Sequence, residues 1–185
     1  MENVETKTLK SSLRDYFEER KGRLKTLGKI ALASLVMFVI VSAAISFITQ
    51  RYTFGVFITN SIFTKTYVLL DKEHSLENLR DKIIAFDFPV DTKYYKKGTP
   101  FAKYVKCESG DFLESVGNRF FCNKKLVGVA LPTDSKGIPT EHFSFKGVIP
   151  KDTFFVMGEN LFSFDSRYWG FVTKENIKGV AIWSF

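Results

Sequence analysis

The sequence predicts a mainly antiparallel β domain that follows one N-terminal transmembrane helix. An uncharged apolar run, residues 30–48, is long enough to cross a bilayer as a helix. Short stretches rich in β-branched and aromatic residues, separated by turn-forming residues, fill the chain after it. Hydrophobic residues make up 45% and charged residues 25% of the 185 residues, which fits one globular core and excludes a disordered or collagen-like chain.

Three segments follow from this pattern: a cytoplasmic leader (residues 1–29), a transmembrane anchor (30–48) and a periplasmic domain (49–185). The leader carries eight Lys or Arg against five acidic residues, whereas Arg51 is the one basic residue among the sixteen that follow the anchor. The positive-inside rule therefore places the N-terminus in the cytoplasm and predicts a single-pass protein of the cytoplasmic (inner) membrane. A cleaved signal peptide, with the small residues of 42–46 near the cut, is the alternative.

The net charge of +7 would by itself suggest a nucleic-acid partner. Because the leader holds a large share of that charge, a topogenic signal explains it better, and the expected partner is the lipid bilayer and not nucleic acid. The leader also places Leu13, Phe17 and Leu24 among its charges. It forms either a short amphipathic helix or a solvated tail, and the pattern does not separate these two interpretations.

The periplasmic domain is predicted to consist of short strands. Turn-forming pieces such as Lys97–Pro100, Asp134–Gly137 and Gly158–Asn160 separate them. The predicted strands are Tyr52–Thr59, Tyr67–Leu70, Ile83–Phe88, Phe101–Lys106, Arg119–Phe121, Leu126–Ala130, Phe143–Val148, Thr153–Met157, Phe171–Val172 and Val180–Trp183.

Two cysteines, Cys107 and Cys122, flank a segment whose pattern predicts a strand, a turn at Gly117-Asn118 and a returning strand. Residues that face each other across such a hairpin can meet the Cα spacing of a disulfide, and an oxidising periplasm would keep the bond. We therefore predict a Cys107–Cys122 disulfide, with two free buried thiols as the alternative. No metal is expected, because two cysteines and two histidines make a poor ligand set.

The two histidines, His74 and His142, lie in polar stretches and are expected at the surface. A serine hydrolase needs a base to accept the proton of its nucleophile, and histidine is the usual one. Without a histidine in a catalytic context, a Ser-Lys pair becomes the natural candidate if this domain is a hydrolase.

Three segments carry a resemblance to type I signal peptidases. Residues 158–172, GENLFSFDSRYWGFV, are similar to the family signature Gly-Asp-Asn followed by Ser-x-Asp-Ser-Arg-Tyr-Trp-Gly. Residues 101–111, FAKYVKCESGD, resemble its box of apolar-apolar-Lys-Arg-Val-x-Gly-x-Pro-Gly-Asp. Residues 59–67, TNSIFTKTY, lack the Ser-Met-x-Pro-Thr of ordinary bacterial members. They instead resemble the Ser-apolar-Pro-x-Gly-x-Tyr box of conjugal transfer pilin-processing peptidases.

The resemblance implies a signal-peptidase-like β fold and assigns the catalytic roles. Ser61 corresponds to the nucleophile, and Lys103 corresponds to the general base, whereas Lys106 falls on a variable position. A free lysine has a pKa near ~10.4, so burial must lower the pKa of Lys103 before it can act near neutral pH. Thr59 corresponds to the hydroxyl that forms the oxyanion hole together with the Ser61 backbone N–H.

Other residues of the signature correspond to supporting groups. Ser163 matches the serine that orients the lysine amine, and Asp165 and Arg167 match paired charges that hold the loop near the site. The sequence departs from the family patterns at three noted positions: Phe63 stands for the proline, Lys65 for the glycine and Glu159 for the aspartate.

The resemblance implies a membrane-anchored serine endopeptidase that needs no cofactor and processes an exported precursor, in this subgroup a conjugative pilin. Its substrate would bind extended along an edge strand such as Phe54–Thr59. An acyl-enzyme can end in hydrolysis or in transfer to the precursor's own terminus, giving a cyclic product. One alternative is a general type I signal peptidase that removes leader peptides from many proteins. Another is a catalytically inactive scaffold of a secretion or conjugation apparatus.

The aromatic residues, which include 20 Phe, are expected mostly in the β core. A second interpretation places some of them, including Phe54, Phe57, Phe101 and Trp169, on an apolar surface that contacts the bilayer.

Overall fold

The computed structural model describes the backbone of residues 2–185 and the side chains of residues 14 and 16–185. The chain divides into two compact units, Met1–Gln50 and Arg51–Phe185.

The first unit belongs to one helix, α1 (Glu2–Arg51). Its segment Tyr16–Arg51 is, within the described residues, the one helical stretch long and apolar enough to cross a membrane. The predicted run 30–48 lies inside this segment and contains neither glycine nor proline, which would weaken or break a helix.

The leader is helical too, which agrees with the first of its two interpretations. Lys21 pairs with Glu18 at 3.0 Å and Arg23 pairs with Glu19 at 2.6 Å, the spacing at which side chains on one helix face meet. Phe17 and Leu24 are exposed, and the side chain of Leu13 lies outside the described residues.

The second unit consists of two antiparallel sheets, which confirms the predicted fold class. The larger sheet has the spatial order β1-β2-β11-β3-β4-β9-β10, and the smaller one has the order β7-β6-β5-β8. The strands are β1 (Tyr52–Val56), β2 (Tyr67–Asp71), β3 (Ile83–Asp87), β4 (Pro100–Glu108), β5 (Phe112–Val116), β6 (Arg119–Cys122), β7 (Lys125–Val129), β8 (Lys146–Val148), β9 (Thr153–Met157), β10 (Val172–Thr173) and β11 (Ile177–Ser184). A short helix, α2 (Ser166–Trp169), and a 3₁₀ helix, Lys174–Asn176, lie between β9 and β11.

Strand β9 contributes to two hydrophobic clusters. Successive side chains of a strand point to opposite faces, so Phe154 and Val156 enter one cluster while Phe155 and Met157 enter the other. The first cluster also contains Leu79, Ile84, Phe86, Val105, Val172 and Val180. The second also contains Cys107, Leu113, Phe120, Cys122, Ala130 and Ile149.

A disulfide joins Cys107 to Cys122, as the sequence predicts, with a Cα–Cα distance of 5.8 Å. The two cysteines are not partners across one hairpin, however. The hairpin consists of β5 and β6, whereas Cys107 lies on β4, in the other sheet. A β-bulge between Val105 and Cys107 turns Cys107 toward the second cluster, so the disulfide links the two sheets.

Two predicted strands are each three residues shorter than expected, and two short helices, α2 and Lys174–Asn176, were not predicted. The first strand ends at Val56 instead of Thr59, and Phe143–Val148 shortens to β8. Helix α2 begins where Asp165 accepts a hydrogen bond from the backbone N–H of Arg167, a capping arrangement that stabilises a helix start.

Two of the four aromatic residues predicted for a bilayer-contacting surface are accessible: Phe54 is 60% exposed and Phe57 is partly exposed. Phe101 and Trp169 instead pack against the first cluster, where both rings contact Phe86. They belong to the core because β3, β4 and α2 bring these rings together.

Candidate active site

Ser61 lies in the loop between β1 and β2, and contacts on both sides hold its backbone. The next residue, Ile62, is only 2% exposed and anchors the loop in the protein. The backbone oxygen of Ser61 accepts hydrogen bonds from the N–H groups of Glu159 at 2.7 Å and Asn160 at 3.3 Å. The serine segment is thereby attached to the segment that follows β9.

Gly158 lies between the two serines that the resemblance brings into the site. A Cβ atom at position 158 would lie 2.3 Å from Ser163 Oγ and 2.7 Å from the Ser61 backbone oxygen, distances that real contacts do not allow. Glycine is therefore required here for space. The same closeness shows that Ser61 and Ser163, far apart in sequence, meet in the fold.

Lys103 lies on β4 and is 3% exposed. Its Nζ atom donates a hydrogen bond to Ser163 Oγ at 3.0 Å. Lys106, the other lysine of the box, is partly exposed and pairs with Asp81 at 2.6 Å. The structure thus brings Lys103 to Ser163 and places Lys106 in a partly exposed ion pair.

The surroundings of Lys103 favour its neutral form. Burial lowers the pKa of its amine from 10.5 to about 8, because the charged form loses its hydration. The negative charge of Asp165 acts in the opposite direction, and the positive charge of Arg167 lowers the pKa further. At pH 8 about half of the molecules would carry a neutral amine able to accept a proton.

Asp165 and Arg167 form a buried ion pair with two hydrogen bonds, each 2.8 Å long. Asp165 also accepts the N–H of Gly158 at 3.0 Å, and Arg167 donates to the backbone oxygens of Ser163 at 3.1 Å and Val129 at 2.8 Å. Burial opposes the charge of Arg167, but Asp165 more than offsets this effect and raises the pKa of Arg167. The pair therefore holds the loop that carries Ser163.

A cleft of about 410 Å³ passes beside these residues. Thr59, Ser61 and Lys103 lie on its wall, and Thr59 is exposed. The remaining wall is largely apolar and comes from strands β1 to β4 and the loops beside them, with Gly55, Val56, Phe57, Ile58, Ile62, Val68, Leu70, Ala85, Tyr95, Thr99, Pro100, Phe101, Ala102 and Phe164. Strand β1 forms an edge of its sheet, so one row of its backbone groups is available for pairing.

The sequence did not reveal the role of Glu159. Its carboxylate accepts hydrogen bonds from the backbone N–H groups of Phe63 at 3.1 Å and Thr64 at 3.0 Å. The sequence indicated only that Glu159 lies between Gly158 and Asn160 in the family signature. A local pattern cannot show which distant backbone amides its side chain contacts.

One group of potential metal ligands occurs among the described side chains, namely Cys107, Asp111 and Cys122. Its two sulfurs form the disulfide and therefore cannot act as thiolate ligands. His142 is exposed and His74 is partly exposed.

Comparison with known proteins yields one family. The family model described as "Signal peptidase, peptidase S26" matches residues 27–185. A signal peptidase I from Buchnera aphidicola subsp. Baizongia pistaciae is 30% identical over 131 residues, covering 65% of this chain and 34% of that protein. A signal peptidase I from Aquifex aeolicus is 55% identical over 40 residues, covering 21% of this chain and 16% of that protein.

The chain spans about a third of the length of the first of these relatives and less of the second. A crystal structure of a signal peptidase I from Enterococcus faecalis V583 is 25% identical, with a TM-score of 0.39, and the match covers 58% of this chain and 98% of that one. Because the family model covers most of the sequence, including every segment that forms the site, the chain belongs to the signal peptidase family, peptidase S26.

Proposed function

We propose that this chain is a membrane-anchored serine endopeptidase in which Ser61 is the nucleophile and Lys103 the general base. One observation carries the proposal: a buried lysine with a lowered pKa donates to Ser163, and Ser163 lies against Gly158 together with the backbone of Ser61. Membership of the signal peptidase family and the names of the curated relatives support the same activity.

The reaction begins when neutral Lys103 accepts the hydroxyl proton of Ser61 as Oγ attacks the scissile carbonyl. The Ser61 N–H and the Thr59 hydroxyl donate to the oxyanion, and such donors are worth roughly 3 kcal/mol each. The peptide C–N bond then breaks, and Lys103 passes its proton to the leaving amine. The acyl group remains on Ser61.

The fate of the acyl group depends on which nucleophile reaches it. Water gives hydrolysis, whereas the precursor's own terminal amine gives a new peptide bond and a cyclic product. The TNSIFTKTY segment supports a conjugative pilin precursor as the substrate, because it resembles the box of pilin-processing peptidases. The second candidate is a general signal peptidase, which the names of the curated relatives favour.

The third hypothesis is an inactive scaffold, and the burial of Lys103 argues against it. Burial disfavours the charged form of the amine, so Lys103 lowers the free energy of unfolding. A protein that had lost catalysis would gain by replacing this residue with an apolar one. Retention of the lysine together with Ser61 and Ser163 therefore supports an active enzyme.

The precursor is proposed to bind extended along β1 and the loop that follows it, within the range Phe54–Thr59. The edge position of β1 leaves backbone groups for such pairing. The largely apolar cleft favours small apolar side chains next to the cut.

Residues 1–29 are proposed to lie in the cytoplasm, with residues 30–48 in the cytoplasmic membrane and residues 49–185 in the periplasm. The charge asymmetry across the apolar segment supports this orientation. Phe54 and Ile58, which are 60% and 92% exposed, are proposed to contact the bilayer surface.

Precursor processing by four forms of the full chain tests the mechanism: wild type, Ser61→Ala, Lys103→Ala and Lys106→Ala. We expect Ser61→Ala and Lys103→Ala to lower the processing rate by at least about 10²-fold. Lys106→Ala should stay within about threefold of wild type, because its partner is the surface residue Asp81. Each form is assayed in vesicles against one pilin precursor and several unrelated preproteins, with the product masses recorded.

Full activity in Ser61→Ala would refute the mechanism. Loss in Lys106→Ala together with activity in Lys103→Ala would show that the wrong lysine has been assigned. Wild-type cleavage of the unrelated preproteins at rates equal to that of the pilin precursor would favour the general signal peptidase. A pilin product lighter than the linear one by one water would establish acyl transfer.

A further inference from the structure

We infer that Glu159 is a positioning residue that holds the turn 61–64 in the conformation from which Ser61 attacks. This inference rests on the proposed function, because the turn matters for catalysis only if Ser61 is the nucleophile. It concerns a residue at which the sequence departs from the family signature.

Glu159 holds the turn from two directions. Its backbone N–H donates to the Ser61 backbone oxygen at 2.7 Å. Its carboxylate accepts the N–H groups of Phe63 at 3.1 Å and Thr64 at 3.0 Å, and also the Thr64 hydroxyl. Two consecutive amides that point at one carboxylate oxygen form a charge-assisted contact, which is stronger than one between neutral groups. Both ends of the turn are thus attached to one residue.

The same carboxylate acts on the strand that carries the lysine. Burial raises the pKa of the hydroxyl of Tyr104, the neighbour of Lys103 on β4, and the nearby carboxylate of Glu159 raises it further. Partial burial opposes the charge of Glu159, but the hydrogen bonds from Thr64 and Phe63 and the nearby Tyr104 hydroxyl outweigh it and keep the pKa of Glu159 below its ordinary value. A charged Glu159 at neutral pH therefore binds the serine turn and lies near the strand that carries Lys103.

Two departures from the family patterns meet at this carboxylate. Phe63 stands where the pattern has proline, and proline has no N–H to donate. Glu159 stands where the signature has aspartate. Because the amide of Phe63 donates to the carboxylate of Glu159, we interpret these two substitutions as one set. In this chain, hydrogen bonds to Glu159 do the work that a rigid proline does in the pattern.

A loosened turn would affect the rate of reaction more than the binding of the precursor. Misplacement of a reacting group by about 1 Å can cost about 10²-fold in rate. The apolar wall contributed by β1 and β4 does not depend on Glu159, so KM should change little. The pKa of Lys103 arises from burial and from Asp165 and Arg167, so the pH profile should keep its midpoint.

The test measures kcat, KM and the pH profile of the full chain in vesicles with a precursor peptide, for wild type, Glu159→Ala, Glu159→Gln and Thr64→Val. We expect kcat to fall about 10- to 100-fold in Glu159→Ala, with KM within about threefold and an unchanged pH midpoint. The kcat of Glu159→Gln should lie between those of wild type and Glu159→Ala, because glutamine keeps one acceptor oxygen. Thr64→Val, which removes one donor at an exposed position, should show a smaller loss. The matched control is Glu141→Gln, an exposed glutamate, which should behave as wild type.

A double-mutant cycle with Phe63→Pro tests the link between the departures. The proline removes one donor and stiffens the turn, so Glu159→Ala should cost at least about threefold less kcat in the Phe63→Pro background. Equal losses in both backgrounds would overturn the link, and a wild-type kcat in Glu159→Ala would overturn the positioning role.

Loss of activity matched by an equal loss of folded protein, measured by circular dichroism, would also overturn the positioning role. Activity in Ser61→Ala would instead mean that the proposed function has failed. An inactive Ser61→Ala beside a fully active Glu159→Ala would refute this inference alone.

Discussion

Burial of Lys103 lowers the pKa of its amine, as the proposed mechanism requires, and at the same time destabilises the fold. Only 3% of the residue is exposed, and the pKa of its amine falls from 10.5 to about 8. A pKa shift of this size corresponds to about 3 kcal/mol against the charged form. The hydrogen bond to Ser163 directs the amine, since an unpartnered buried amine could adopt other rotamers.

The pH dependence of activity and stability follows from this shift. Lys103 must be neutral to act as a base, so kcat/KM should rise with pH with a midpoint near 8. Between pH 8 and 10.5 the unfolded chain binds more protons at this residue than the folded chain, so its contribution to the free energy of unfolding rises with pH in that window.

Lys103→Met should therefore be inactive yet more stable at pH 7, by up to about 3 kcal/mol, and the gain should shrink toward pH 10.5. Denaturant unfolding of wild type and Lys103→Met at pH 7 and at pH 10 measures this difference in the free energy of unfolding. A kcat/KM profile centred near 10.5, or equal stability of the two forms at pH 7, would contradict the assignment.

At the scale of elements, the sequence located the strands better than it located their ends. Stretches rich in β-branched and aromatic residues between turn-forming residues identified the central strands, because such side chains pack well on a sheet. The end of β1 at Val56 was not visible in Tyr52–Thr59, since Ile62 and the partners of Ser61 draw the chain away from the sheet. The β-bulge beside Cys107 also has no local signal, although it decides which cluster that residue enters.

The disulfide is expected to stabilise the connection between the two sheets. Cys107 and Cys122 are separated by 15 residues in sequence, and a loop of this size corresponds to about 3 kcal/mol of the free energy of unfolding. The double variant Cys107→Ala/Cys122→Ala should therefore unfold at lower denaturant concentration. It should keep most of its activity at 25 °C, because Lys103 lies on β4 before the bulge.

Alkylation followed by mass measurement under non-reducing conditions provides the direct check, with wild type expected to show no reactive thiol. Two alkylatable thiols in freshly isolated, oxidised protein would contradict the bond.

At the scale of the whole molecule, the segregation of charge and apolar residues predicts the topology. Protease added outside spheroplasts should digest residues 49–185 and leave the leader with its anchor, because the outer domain is expected in the periplasm. An N-terminal and a C-terminal epitope tag report the two ends. Protection of the C-terminal tag would contradict the orientation. A membrane-released product that begins near residues 42–46 would support the signal-peptide alternative.

The sequence by itself determined the apolar helix and the β class, because composition and periodicity are local properties, and its resemblance to signal peptidases supplied the candidates Ser61, Lys103 and Ser163. The tertiary structure decided how these candidates are arranged. It buries Lys103 and leaves Lys106 partly exposed, brings Ser163 and the backbone of Ser61 against Gly158, and attaches Glu159 to the serine turn. The reason is physical: pKa and hydrogen bonding depend on burial and on neighbours far apart in the chain, which strand register, a bulge and loop closure place together.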